Sequence, residues 1–189
     1  MASGLGALIP QHSTGGDVRS VDNAELTQLA ALHAQSFAWA LLCCDRRRED
    51  AEDLLHDVYV GVLENGLRFD GQSTLKTWLF GVIRNKARAR IRRDRVRALL
   101  GLRHASRIAT PLPGTTADED VIASDRRERT RRALTQLARR QREVLVLVFY
   151  HDLTIEEAAK VMRVSLGSAR VHYQRGKQKL ALLLEGDRA

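Results

Sequence analysis

Apolar residues recur at steps of three and four over much of the chain, the period of a helix with one buried face. Leu26, Leu29, Ala30, His33, Phe37, Ala40, Leu41 and Cys44 form the first series, which Asp22 or Asn23 can cap. Charge interrupts it at Asp45 to Arg48. Ala51, Leu54, Leu55, Val58 and Val62 then predict a second helix ending near Asn65-Gly66. A loop through Phe69-Asp70-Gly71-Gln72 leads to Ser73, and Leu75, Trp78, Leu79, Val82 and Ile83 begin a third. The N-terminal half, residues 22–99, therefore reads as a three-helix unit, preceded by a disordered leader over 1–21.

Helical periodicity stops between the two halves. Thr110-Pro111-Leu112-Pro113-Gly114 cannot continue a helix, and acidic Asp118-Glu119-Asp120 follows, so residues 100–122 read as an extended, flexible linker. Residues 123–189 are helical again. Leu134 and Leu137 close one helix, and Leu145, Val148 and Phe149 mark the next. The expected fold class is all-α: two small helical domains joined by a flexible linker, the second a helix-turn-helix.

That motif follows from the next stretch. Thr154-Ile155-Glu156-Glu157 is a capping box, in which the Thr hydroxyl and the Glu carboxylate each accept a backbone N–H at a helix start. Ile155, Ala158, Ala159 and Met162 face inward, the small alanines allowing a close crossing. Arg163-Val164-Ser165 makes a brief turn, and Ser165 or Ser168 can cap the last helix. At 100° per residue, Ala169, Tyr173, Gly176, Leu180 and Leu183 share its packing side. Val171, Gln174, Arg175 and Gln178 lie opposite, flanked by Arg170 and Lys177. Arg suits guanine, Gln adenine and Val a thymine methyl, so this face suits a major groove. Gly167 and Ser168 offer amides to a phosphate. A bundle whose outer face meets only water remains the plainer alternative.

Charge sharpens the picture. The 189 residues carry 31 Lys and Arg against 23 Asp and Glu, a formal charge of +8 that calls for a polyanionic partner. The cations concentrate at the end of the third helix: Arg84, Lys86, Arg88, Arg90, Arg92, Arg93, Arg95 and Arg97, opposed there only by Asp94. Such a run can be a solvated face, but its self-repulsion favours phosphate contact. No apolar run is long enough to span a membrane, and no signal-peptide pattern opens the chain, so a cytoplasmic protein is expected. Adjacent Cys43 and Cys44 suit neither a structural disulfide nor a zinc site and read as small helix residues.

Two sets of motifs together resemble the ECF sigma factors of bacterial RNA polymerase. Asp50 to Tyr59 (DAEDLLHDVY) resembles their polymerase-binding helix, with His56 where Gln is usual. Phe69-Asp70-Gly71-Gln72-Ser73 through Thr77-Trp78-Leu79, with Asn85 further along, resembles their −10 loop and helix. Gln141 to Leu145, Thr154 to Ala159 and Val164 to Arg170 resemble their second domain, although Arg163 stands where the family often has Gly. The resemblance covers most of residues 26–184. It implies core binding to the largest-subunit coiled coil through Asp53, Leu54, His56 and Asp57. It implies −10 recognition and melting by Phe69, Gln72, Ser73, Lys76, Trp78, Arg84, Asn85, Arg88 and Arg92, the loop holding a flipped base. The second domain would sit on the β flap and read the −35 element through Ser168, Arg170, Val171, Gln174, Arg175, Lys177 and Gln178. RNA polymerase core, promoter DNA and an anti-sigma factor are the implied partners, and no cofactor or metal is implied.

Two other readings differ in class. A stand-alone helix-turn-helix regulator would need a ligand pocket or dimer face in its first domain, where a basic helix stands instead. A nucleic-acid enzyme would need a phosphate-cradling loop, metal-ligand spacing or an activated nucleophile, and none is apparent. Asp53 and Asp57 share a helix face, which supplies too few ligands for a metal.

Overall fold

The structure, a computed structural model, describes residues 23–64, 66–100 and 121–186, and these form eight helices and no strand. In the first half α1 spans Asn23–Ala31, α2 His33–Cys43, α3 Arg48–Leu63 and α4 Leu75–Leu99. In the second, α5 spans Val121–Thr135, α6 Arg139–Phe149, α7 Ile155–Met162 and α8 Leu166–Gly186. The first apolar series is thus two helices where the sequence predicts one. They join at Leu32, whose N–H is shared between the carbonyls of Gln28 and Leu29 at 3.0 and 3.2 Å, a tightened turn that apolar spacing does not reveal. The expected leader lies outside the described residues, as does nearly all of the expected linker, with α4 capped at Leu100 and α5 beginning at Val121.

Between α2 and α3 the chain reverses through two left-handed residues, Asp45 and Arg46. The N-terminal core combines the predicted stripes with two residues outside them, Trp39 and Phe80. Trp39, Leu54, Val58, Leu79, Phe80 and Ile83 are all buried, and the Trp39 indole donates to the Phe80 carbonyl at 3.0 Å. The eight cations of α4 from Arg84 to Arg97 do not share one role. Lys86 donates to the Asp57 carbonyl, Arg90 pairs with Asp50 and Asp53, and Arg84 is buried.

In the second half Val144, Leu145, Leu147, Ala158, Met162 and Ala169 are buried. Gly176 has a packing reason. A Cβ there would lie 3.1 Å from the Gln141 Cβ and 3.2 Å from the Leu145 Cδ1, so its absence lets α8 lie close on α6.

The two halves share one hydrophobic cluster, which runs from Trp39 and Phe80 to Val144, Leu147, Val161 and Met162. An ion pair closes it. Arg84 of α4 donates from Nε and Nη2 to Glu143 Oε2 of α6 at 3.1 and 2.8 Å, and from Nη1 to the Met162 carbonyl at 2.7 Å. Charges buried this far survive only when each hydrogen-bonding group is matched.

Candidate nucleic-acid interface

The helix-turn-helix forms as its local chemistry requires. Glu157 N–H donates to Thr154 Oγ1 at 3.1 Å, and Thr154 N–H donates to Glu157 Oε2 at 2.8 Å, completing the capping box. The Thr154 backbone bond, with help from its hydroxyl and from Thr77, holds the Glu157 carboxyl below its usual pKa. Arg163 ends α7 in the left-handed region (φ 52°, ψ 54°), the conformation that makes glycine common at this turn. Ser165 Oγ then accepts the Ser168 N–H at 3.2 Å and starts α8. That bond corrects one expectation: the Ser168 amide serves the cap and is not free for a phosphate.

Along α8 the helical-angle reading holds. Ala169 and Gly176 are buried, and Tyr173, Leu180 and Leu183 are half-buried. Ser168, Arg170, Val171, Gln174, Arg175, Lys177 and Gln178 are all exposed on the remaining surface. Arginine, glutamine and an apolar methyl pair thus project from one rigid helix that the rest of the unit supports from behind.

In the first half, Asp70 Oδ1 accepts the Gln72 N–H at 3.1 Å, and Gly71 takes φ +71°, so the chain turns tightly at Asp70–Gln72 before α4 and needs this glycine there. Phe69 and Trp78 are half-buried against each other, ring centroids 5.6 Å apart. Gln72 is exposed, and Ser73 and Asn85 are half-buried. Thr74, unremarked in the sequence, caps α4 by accepting the Thr77 N–H at 3.2 Å. Arg88 and Arg92 are exposed.

Three of the candidate residues are placed differently from expectation. Arg84 is 2 % exposed and spends its donors on Glu143 and Met162, so in this arrangement it cannot reach DNA. Lys76 is half-buried, its Nζ donating to the His151 carbonyl at 2.5 Å. Leu54 is 2 % exposed and belongs to the core; as the only apolar member of the core-binding set it falls on the packing stripe of α3. Asp53, His56 and Asp57 are exposed, with Asp53 reached by Arg90 at 3.3 Å. Periodicity had no means of signalling Glu143 or His151, which are polar residues buried by a neighbour remote in sequence.

Cys43 and Cys44 are buried, and burial pushes both thiols up, Cys44 to about 11. They are protonated packing residues. Among the described residues no group of His, Cys, Asp and Glu is placed to hold a metal, and no helix is long and apolar enough to cross a membrane.

A helical protein with a helix-turn-helix at one end, and a basic helix beside an aromatic loop at the other, belongs to the class of promoter-reading initiation factors. Comparison with known proteins specifies the class. Sigma-70 region 2 matches residues 31–97 and the Sigma-70 region 4 family matches residues 127–180. The chain is 33 % identical over 157 residues to RNA polymerase sigma factor CarQ of Myxococcus xanthus, covering 82 % of this chain and 87 % of that one. It is 30 % identical to the ECF RNA polymerase sigma factor EcfG of Rhodopseudomonas palustris over 74 % of each chain. Its fold is similar to that of the sigma factor RpoE of Bartonella quintana in complex with the anti-sigma factor NepR, with a TM-score of 0.66 at 23 % identity, covering 87 % of this chain and 98 % of that one. The chain belongs to the ECF sigma factors and directs promoter-specific transcription initiation by RNA polymerase.

Proposed function

We propose that the two halves divide promoter recognition between them, α8 reading the −35 element while the Phe69–Ser73 loop and the exposed cations of α4 capture the −10 strand. The observation that carries this reading is the outward face of α8, with seven polar or groove-fitting side chains exposed opposite Ala169 and Gly176. On α4, Arg88 and Arg92 follow the Phe69–Trp78 pair along one helix, which suits an unpaired strand held by stacking and a cationic track. Asp53, His56 and Asp57 form the exposed polar side of α3 and are the contacts we assign to the polymerase coiled coil, with the β flap receiving the second half. The protein acts in the cytoplasm and catalyses no reaction itself. An anti-sigma factor restrains it until a stress or envelope signal arrives, a reading supported by the anti-sigma complex of the Bartonella quintana relative.

Two substitutions test the −35 assignment. Arg175 lies on the outward face with Val171 and Gln178, and Lys177 at its edge nearer the packing side. Arg175→Ala should lower affinity by about 1–3 kcal/mol and relax preference at one base pair. Lys177→Ala should weaken all sequences alike and reduce the salt slope by roughly one. Binding of holoenzyme to a library of −35 variants at several salt concentrations reads both. A uniform loss with Arg175→Ala, base preference intact, would overturn the assignment.

A further inference from the structure

The buried cluster between the halves contains a group that does not belong in an apolar site. His151, just beyond α6, is 1 % exposed. Its imidazole meets Phe80 edge-on at 4.7 Å between ring centroids and Trp39 at 6.0 Å, both from the other half, and its neighbour Tyr150 at 4.9 Å. Both ring nitrogens are buried and neither has a hydrogen-bond partner. α2 offers it the Trp39 ring. α4 offers the Phe80 ring and the Lys76 ammonium, which donates to the His151 carbonyl. The carboxylate whose charge acts on it is Asp152, next in the chain and exposed, while Glu157 of α7 is engaged with Thr154 and Thr77. A neutral imidazole can occupy such a site. An imidazolium would leave two N–H donors buried without acceptors and a positive charge near Lys76.

We propose that this contact is an acid-released latch: protonation of His151 expels it from the Trp39–Phe80 pocket, parts the two halves, and uncovers Arg84 and Lys76 on α4. Burial first, and Lys76 second, hold the imidazole down to about pKa 4, Asp152 opposing only in part. Once solvated, the ring returns to its ordinary value near 6.5. The closed arrangement is therefore fully stable above pH 6.5 and loses stability as pH falls toward 4. Between pH 7.5 and 5.5 the opening equilibrium should rise roughly tenfold. The Arg84–Glu143 pair resists little, because opening hydrates both partners and a buried pair contributes little net stability over a solvated one. That the uncovered face serves the −10 strand rests on the reading above, whereas the separation of the halves does not.

Small-angle scattering of the full chain at pH 7.5, 5.5 and 4.5, with circular dichroism on the same samples, tests the latch. The radius of gyration should increase as pH falls while helix content stays constant. His151→Phe, which fills the aromatic pocket without titrating, should stay compact throughout. His151→Leu serves the same purpose if the larger ring is not accommodated. An unchanged radius in the wild type, expansion of the non-titrating variants at the same pH, or expansion only with loss of helix would each overturn the latch. Binding of a labelled pool of single-stranded oligonucleotides, followed in parallel, separates the two ideas. Expansion without tighter binding would leave the latch standing and refute the −10 role of the uncovered face.

Discussion

The Arg84–Glu143 pair carries an asymmetry that a mutational cycle can expose. Glu143 accepts two bonds from Arg84 and, through its other oxygen, one from Arg139 Nε at 3.0 Å. The side chains of Arg84 and Glu143 are 2 % and 3 % exposed, whereas that of Arg139 is 36 % exposed. Glu143→Leu leaves a buried guanidinium with only the Met162 carbonyl, and should destabilise the protein by about 3–5 kcal/mol. Arg84→Leu leaves Glu143 a second cation that water also reaches, so its loss should be about 1–3 kcal/mol. The double variant removes both charges into apolar surroundings and should fall within about 1 kcal/mol of the wild type, far from the sum of the singles. Urea unfolding at pH 7.5, followed by tryptophan fluorescence and circular dichroism, measures all four proteins. If Arg84→Leu is as damaging as Glu143→Leu, or the double variant loses the sum, the pair does not work as described.

Arg163→Gly relieves a left-handed backbone at an exposed side chain and should stabilise the protein by about 1 kcal/mol, raising the melting temperature by a few degrees in a calorimetric scan. Asn85→Ala should impair promoter melting, read by permanganate footprinting, while core binding stays intact; equal melting would remove Asn85 from the −10 site. Asp53→Arg reverses an exposed charge on α3 and breaks its contact with Arg90, so competition with other sigma factors for core should weaken while the Leu54–Val58 core holds.

Elements set by local chemistry were readable in the sequence. The capping box at Thr154 and the buried side of α8 depend on residues close along the helix, so spacing reports them directly; the cap of α8 was narrowed only to Ser165 or Ser168, and the Ser168 N–H bond to Ser165 Oγ selects the first. The break at Leu32 was not readable, since both flanking segments keep the same apolar period. The basic run of α4 misled for a related reason. Composition counts a cation without knowing its partner, and Arg84, Lys86 and Arg90 find theirs on α3, α6 or α7, 29 to 78 residues away. Leu54 was assigned to a partner surface because it lies inside a motif whose polar members face outward; its own place in the stripe pointed inward.

The 25 residues of α4 form an unbroken helix about 37 Å long, whose first turns are core and whose last turns are free. Cations on a loop could adjust individually to an irregular strand. These cannot: each is fixed in azimuth and height relative to Trp78 by the hydrogen-bond ladder between them. One residue inserted after Ala87 would turn Arg92 and everything beyond it by 100° around the axis with no change in charge. The spacing along α4 is therefore under the same constraint as the identity of its residues, and the rod acts as a ruler laid out from the aromatic loop.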